Sequence, residues 1–109
     1  MKYDVLLTIG HNVNGKPTLT TRYITKRVTM RLQIQGFTAI PCLGMWEGEA
    51  EESTRLEINA LDKAKADDIR AQIPELAKAL GQMQIMFEMK PSRVEFIDKA
   101  NDAQAVKSA

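Results

Sequence analysis

Twice along this chain, alternation of apolar and polar residues gives way to helical spacing and then returns, an order that few folds accommodate. Tyr3, Val5, Leu7 and Ile9 share one face of an extended segment, with Asp4, Leu6 and Thr8 on the other. Leu6 among the second set predicts a central strand with both faces partly covered. Gly10 to Pro17, with its Asn14-Gly15 pair, is turn chemistry. Ile24, Val28 and Leu32 then fall at four-residue steps. They mark a helix capped by Thr20 or Thr21 and running to about Gln35, where Gly36 stands ready for a left-handed C-terminal cap. Tyr23, Met30 and Ile34 form a second line with Arg27 and Arg31 at its margin, snorkelling over core or facing a loop, the tail or another subunit.

Phe37 to Met45 returns to strand character, with Pro41 marking an edge or a bulge because it cannot donate to a ladder. Glu47 to Glu52 reads as a polar connection, and Ser53 to Leu61 alternates again, so the pair forms a hairpin. Asp62 to Ala66 reads as a charged linker and Asp67 or Asp68 as a second N-cap. Ile69, Ile73, Leu76 and Leu80 make one apolar stripe, with Pro74 kinking or restarting the helix and Gly81 ending it. Met83, Ile85, Phe87 and Met89 alternate as a fourth strand, Pro91 stops it, and Arg93 to Ile97 reads as a short fifth. Strand–helix–strand twice, with right-handed crossovers, predicts an α+β fold: a ferredoxin-like βαββαβ sandwich, four antiparallel strands with two helices on one face. Residues 1–97 make one domain and 98–109 a polar tail.

A chain of 109 residues can bury a hydrophobic core without staples. Its net charge of +1 supplies no pull toward nucleic acid or anionic membrane, so neither is an expected partner. Cys42 stands alone, which excludes an internal disulfide. The first apolar run is broken by Asp4 and lacks a cleavage site, and none is long enough to span a bilayer; the expected location is cytoplasmic.

Phe37 to Leu61 concentrates the unusual residues: the single Trp and Cys, and most of the acidic cluster. Glu47, Glu49, Glu51 and Glu52 lack the spacing of a cation loop and read as a solvated hairpin tip. Met83 and Met89 face away from Met86, so a thioether metal site does not converge; no metal and no cofactor is expected. Cys42 with His11 is the sole Cys–His pair, and a thiol flanked by Ile40, Pro41 and Leu43 reads as buried and inert. No catalytic set emerges. His11, Asn12, Asn14 and Lys16, in a loop between strand and helix, sit where amides and a lysine hold an anion. With Arg27, Arg31, Trp46 and Glu47 they make the candidate ligand-binding set.

The run Met45-Trp46-Glu47-Gly48, followed by Glu52 and the alternating Leu56-Glu57-Ile58, resembles the second hairpin of the CutA and PII-like superfamily. That resemblance covers the layout of roughly residues 37 to 90 and implies a trimer packed through the hairpin, with ligands near subunit clefts. The GHNVNGKP loop departs from those chains, which pass almost directly into the helix, so no site residue is carried over. The leading expectation is a small oligomeric binding or regulatory protein, holding a small anionic ligand or a partner near Trp46. The alternative is a protein-interaction module, an inhibitor or adaptor of the kind phages and mobile elements encode. An enzyme with His11 as base beside Glu47 or Glu49 ranks third.

Overall fold

The computed structural model describes residues 1–100; most of the tail expected over 98–109 therefore lies outside the described residues. Four long strands form one antiparallel sheet: β1 (Lys2–Gly10), β4 (Thr38–Trp46), β5 (Glu49–Asp62) and β6 (Met86–Pro91), in the spatial order β4-β5-β1-β6. Helices α1 (Thr21–Leu32) and α2 (Lys63–Ala79) make the two crossovers, giving the ferredoxin-like sandwich. Between β1 and α1, β2 (Asn12–Val13) and β3 (Lys16–Pro17) form a small ribbon of their own. Asn14 and Gly15 close it with φ of 52° and 76°, the left-handed pair that Asn-Gly favours.

The core lies between helices and sheet. Val5, Leu7, Ile9 and Leu56 meet Ile24, Val28, Leu32, Ile69 and Leu76, all fully buried. Each such side chain stabilises the fold by about 1.5–3 kcal/mol relative to leaving it in water. Leu6, on the opposite face, is buried too, as a central strand requires.

Several boundaries differ from those the sequence predicts. Thr20 is the N-cap of α1, its hydroxyl accepting from the Tyr23 amide at 3.1 Å. The left-handed C-cap is Gln33 (φ 52°), not Gly36, because the chain must turn there to bury Ile34. Glu49 to Glu52 belong to β5; the connection is only Glu47-Gly48, both at positive φ (49° and 83°), a two-residue turn matched to strand twist. The supposed linker Asp62–Ala66 is the start of α2, since Ala66 is fully buried and adds a turn to the apolar stripe. Asp62 occupies the cap position without capping; its carboxylate pairs with Lys2 instead. Strand β6 begins at Met86, and Arg93 to Ile97 forms no strand.

Asp4 marks a bulge. The register slips between Tyr3 and Val5, Ala60 takes φ of 56°, and its amide donates to Asp4 Oδ1 at 3.0 Å. Burial disfavours ionised Asp4. Hydrogen bonds from Ser92, the Ala60 amide and Asn59, with Lys90 close by, outweigh that and hold the carboxyl below its usual range.

Hydrogen-bond parity fixes the sheet edges. The His11 amide donates to the Glu52 carbonyl (2.9 Å) and the Ser92 amide to the Lys2 carbonyl (2.8 Å). Alternation through the β5–β4 and β1–β6 registers then points the donorless nitrogens of Pro41 and Pro91 outward from the sheet. Pro41 is thus an edge residue without a bulge, and both open edges lack a donor at one position. No helix among the described residues is long and apolar enough to cross a membrane.

Candidate functional site

Three segments distant in sequence enclose a cleft of about 750 Å³: the end of β1 with the Asn12–Pro17 ribbon, the Trp46 hairpin tip, and residues 81–86. The size suits a small molecule. Its walls are pinned to one another. The Gln82 side-chain amide donates to the Asn12 carbonyl at 2.8 Å, joining the 81–86 segment to the ribbon. Gly81 (φ 68°) lies against Val13 so closely that a Cβ would stand 2.9 Å from its Cγ1.

Glu51 is the most constrained charged group in the cleft. Its strand position, three residues beyond the turn at Gly48, aims it across β1. There the Asn12 amide donates to Oε2 at 2.7 Å. A Cβ on Gly10 would lie only 2.3 Å from the same oxygen, so glycine makes room for the carboxylate. Trp46 lies over Gly44, where a Cβ would meet Nε1 at 2.7 Å and the Ser53 hydroxyl at 3.0 Å. Ser53 is fully buried beneath it, and the indole Nε1 is buried without an acceptor. Such a donor costs about 1–3 kcal/mol unless something accepts from it. Behind the cleft, the buried Thr54 hydroxyl meets His11 Nε2 and the Thr21 hydroxyl, each at 2.7 Å, tying the loop to the first turn of α1.

Of the residues predicted to bind a ligand, Asn12, Asn14, Trp46 and Glu47 line this cleft. His11 does not: it turns toward Thr54 as a structural hydrogen-bond partner. Lys16 lies exposed on the ribbon outside the cleft wall, and Arg27 and Arg31 belong to α1, with Arg27 over the Tyr23 ring at 5.9 Å. The charged residues lining the cleft are Glu47 and Glu51, with no lysine or arginine among them. Their carboxylates make the cleft favour cations over anions, and Lys16, Arg27 and Arg31, expected to hold an anion, are not among its lining residues. Among the described residues no cluster of three His, Cys, Asp or Glu could hold a metal ion. Cys42 is half-buried rather than sealed. Sequence reading missed Glu51 and the 81–86 wall. Strand parity would have placed Glu51 on one face with Trp46 had the hairpin been closed at Glu47-Gly48.

No protein-family model matches the chain, and no curated protein does. Solved structures do. A phage SAM lyase in the apo state superposes with a TM-score of 0.69 at 22% identity, covering 82% of this chain and 79% of that one. A phage SAM lyase in complex with S-methyl-5′-thioadenosine superposes with a TM-score of 0.60 at 21% identity, covering 82% and 80%. The likeness is one of fold.

Proposed function

We propose that this chain binds S-adenosylmethionine in the cleft beside Trp46 and releases S-methyl-5′-thioadenosine from it. The carrying observation is the charge of the cleft: Glu47 and Glu51 line it and no basic side chain does, which suits a sulfonium cation attached to an apolar purine. The similarity in fold to a phage SAM lyase, free and with S-methyl-5′-thioadenosine, supports the same ligand. Met45 and Trp46 supply apolar wall for the purine, and the Asn12 and Asn14 segment supplies polar groups for its edge.

Forming that product breaks the bond between the sulfonium sulfur and the methylene carbon of the amino-acid portion. The bonding pair stays on sulfur, which leaves as a neutral thioether. The carbon portion takes a replacement pair from a nucleophile, or from an adjacent C–H bond whose proton passes to solvent water. Positive charge on sulfur therefore fades toward the transition state. A carboxylate at the sulfonium stabilises bound substrate more than transition state, so Glu51 acts in binding. Glu51→Gln is expected to raise KM by about tenfold, or ~1.4 kcal/mol, with a smaller change in kcat.

Incubation with S-adenosylmethionine followed by chromatography reads the product directly. Release of S-methyl-5′-thioadenosine in proportion to protein supports the proposal. If neither compound raises the melting temperature or alters Trp46 fluorescence, this reading falls.

The assembly implied by the hairpin belongs to the same proposal. Leu43 and Met45 are 63% and 62% exposed near the hairpin tip, and a second copy covering them would border the cleft.

A further inference from the structure

We infer that residues 93–97 form an arm that docks in the groove between α2 and β6 of a second copy of this chain. Val94, Phe96 and Ile97 are 39%, 77% and 86% exposed, in a segment that belongs to no helix or strand. Apolar exposure on that scale, in a run that alternates like a strand, marks a segment waiting for a surface. The molecule offers one at its far sheet edge. A groove of about 420 Å³ there is lined by Ile73, Pro74, Ile85 and Phe87, with Arg70 at its margin.

Both backbone and charge suit the arm to this groove. By the parity established above, Phe87 and Met89 direct their amides and carbonyls outward from β6, where nothing pairs with them in the single chain. An extended arm laid along that edge adds a strand, as in β-augmentation, and Val94 and Phe96 share the side that faces the apolar floor. Pro74 has no N–H to give the Arg70 carbonyl, so the hydrogen-bond ladder of α2 lacks that bond beside the same groove. Glu95 lies between Val94 and Phe96, and neither Glu95 nor Arg70 has an ion-pair partner among the described residues. Together they form the complementary pair across the contact.

The occupant is a second copy because the arm leaves its own groove behind. Ser92 still pairs with Lys2 at the end of the sheet, so the chain runs on past Pro91, away from Ile85 and Phe87. Val94 then bonds locally to the Ser92 hydroxyl instead of turning back.

Cross-linking tests this with point variants of the full chain, in a Cys42→Ser background so that the introduced thiols are the only ones. Copies carrying Glu95→Cys are mixed with copies carrying Arg70→Cys under glutathione disulfide. A disulfide-linked species of twice the chain mass is expected, in excess of that formed with Lys26→Cys on α1 as the partner. Equal yields with the two partners would overturn the inference. So would closure of the bond inside a single chain carrying both Glu95→Cys and Arg70→Cys. Phe96→Asp, at an exposed position where folding is not at stake, should weaken self-association by about tenfold or more. Binding of S-methyl-5′-thioadenosine, measured on the same variants, separates failure of the arm from failure of the proposed function.

Discussion

Gly10 and Gly44 are positions where one methyl group would rearrange the cleft, and they do so through different neighbours. At Gly10 a Cβ meets the Glu51 carboxylate, the far end of a flexible side chain, so the chain can still fold while the carboxylate swings off the Asn12 amide. Gly10→Ala is therefore expected to keep the melting temperature within a few degrees and to weaken ligand binding by about tenfold, measured by calorimetric titration. At Gly44 the neighbour is the rigid indole, so Gly44→Ala should displace Trp46 and shift its emission in the free protein. Ala60 and Asp4 concern stability instead. Ala60 holds φ of 56°, a conformation costing a side-chain-bearing residue about 1–2 kcal/mol, and Ala60→Gly should recover part of that in denaturant unfolding. Asp4 has a depressed pKa in the fold, so its ionised form stabilises the protein. That contribution is complete above the ordinary carboxylate value of 3.8 and is lost as pH falls through the lower folded value. Melting temperature should thus drop on acidification below pH 3.8, and Asp4→Asn should flatten the drop.

Among the elements, the edge strands carry the clearest expectation. Pro41 and Pro91 each leave a gap in an otherwise open row of donors, and Pro41→Val with Pro91→Val restores both. Refolding of that double variant should aggregate faster than the parent, read by turbidity against time. The prolines also show what was legible in the sequence. Pro41 announced an edge or a bulge, of which the sheet order makes it the edge, and the alternation of Val5, Leu7 and Ile9 against Leu56 and Ile58 correctly gave the sheet its buried face. Register and boundaries were less visible, because they depend on partners distant in the chain. Asp62 looked like the start of a linker because its role is an ion pair with Lys2, sixty positions away. Glu51 looked like one of several surface acids, and only pairing of β5 with β1 carries it to the Asn12 amide. The Asn12 and Trp46 contributions were visible from local composition; the 81–86 wall was not, since Gln82 acquires its meaning from a bond to a carbonyl in another loop.

At the scale of the whole molecule, the cleft is an assembly of three chain segments, Thr8 to Gly15, Met45 to Glu51 and Gly81 to Met86, held on one sheet. Its proposed partner surfaces, the hairpin tip and the α2–β6 groove, lie at opposite edges of that sheet. Light scattering on the intact protein should give a mass above that of one 12.2 kDa chain; a strict monomer at high concentration would remove both contacts together.

The placement of β1 has a consequence for synthesis. β1 precedes both of its neighbours in the chain, so it has no partner until β5 has been made and lacks its second until β6 follows. Its run Val5-Leu6-Leu7, sealed in the finished protein, has no strand beside it until β5 is made. Pairings so far apart in the chain form slowly, because loop closure must precede any gain from contact. Nascent chains stalled before residue 81 would possess two walls of the cleft and no third, and should neither bind ligand nor resist a protease. No half of the fold thus contains the cleft: its walls are complete only once Gly81 to Met86 have joined the other two segments.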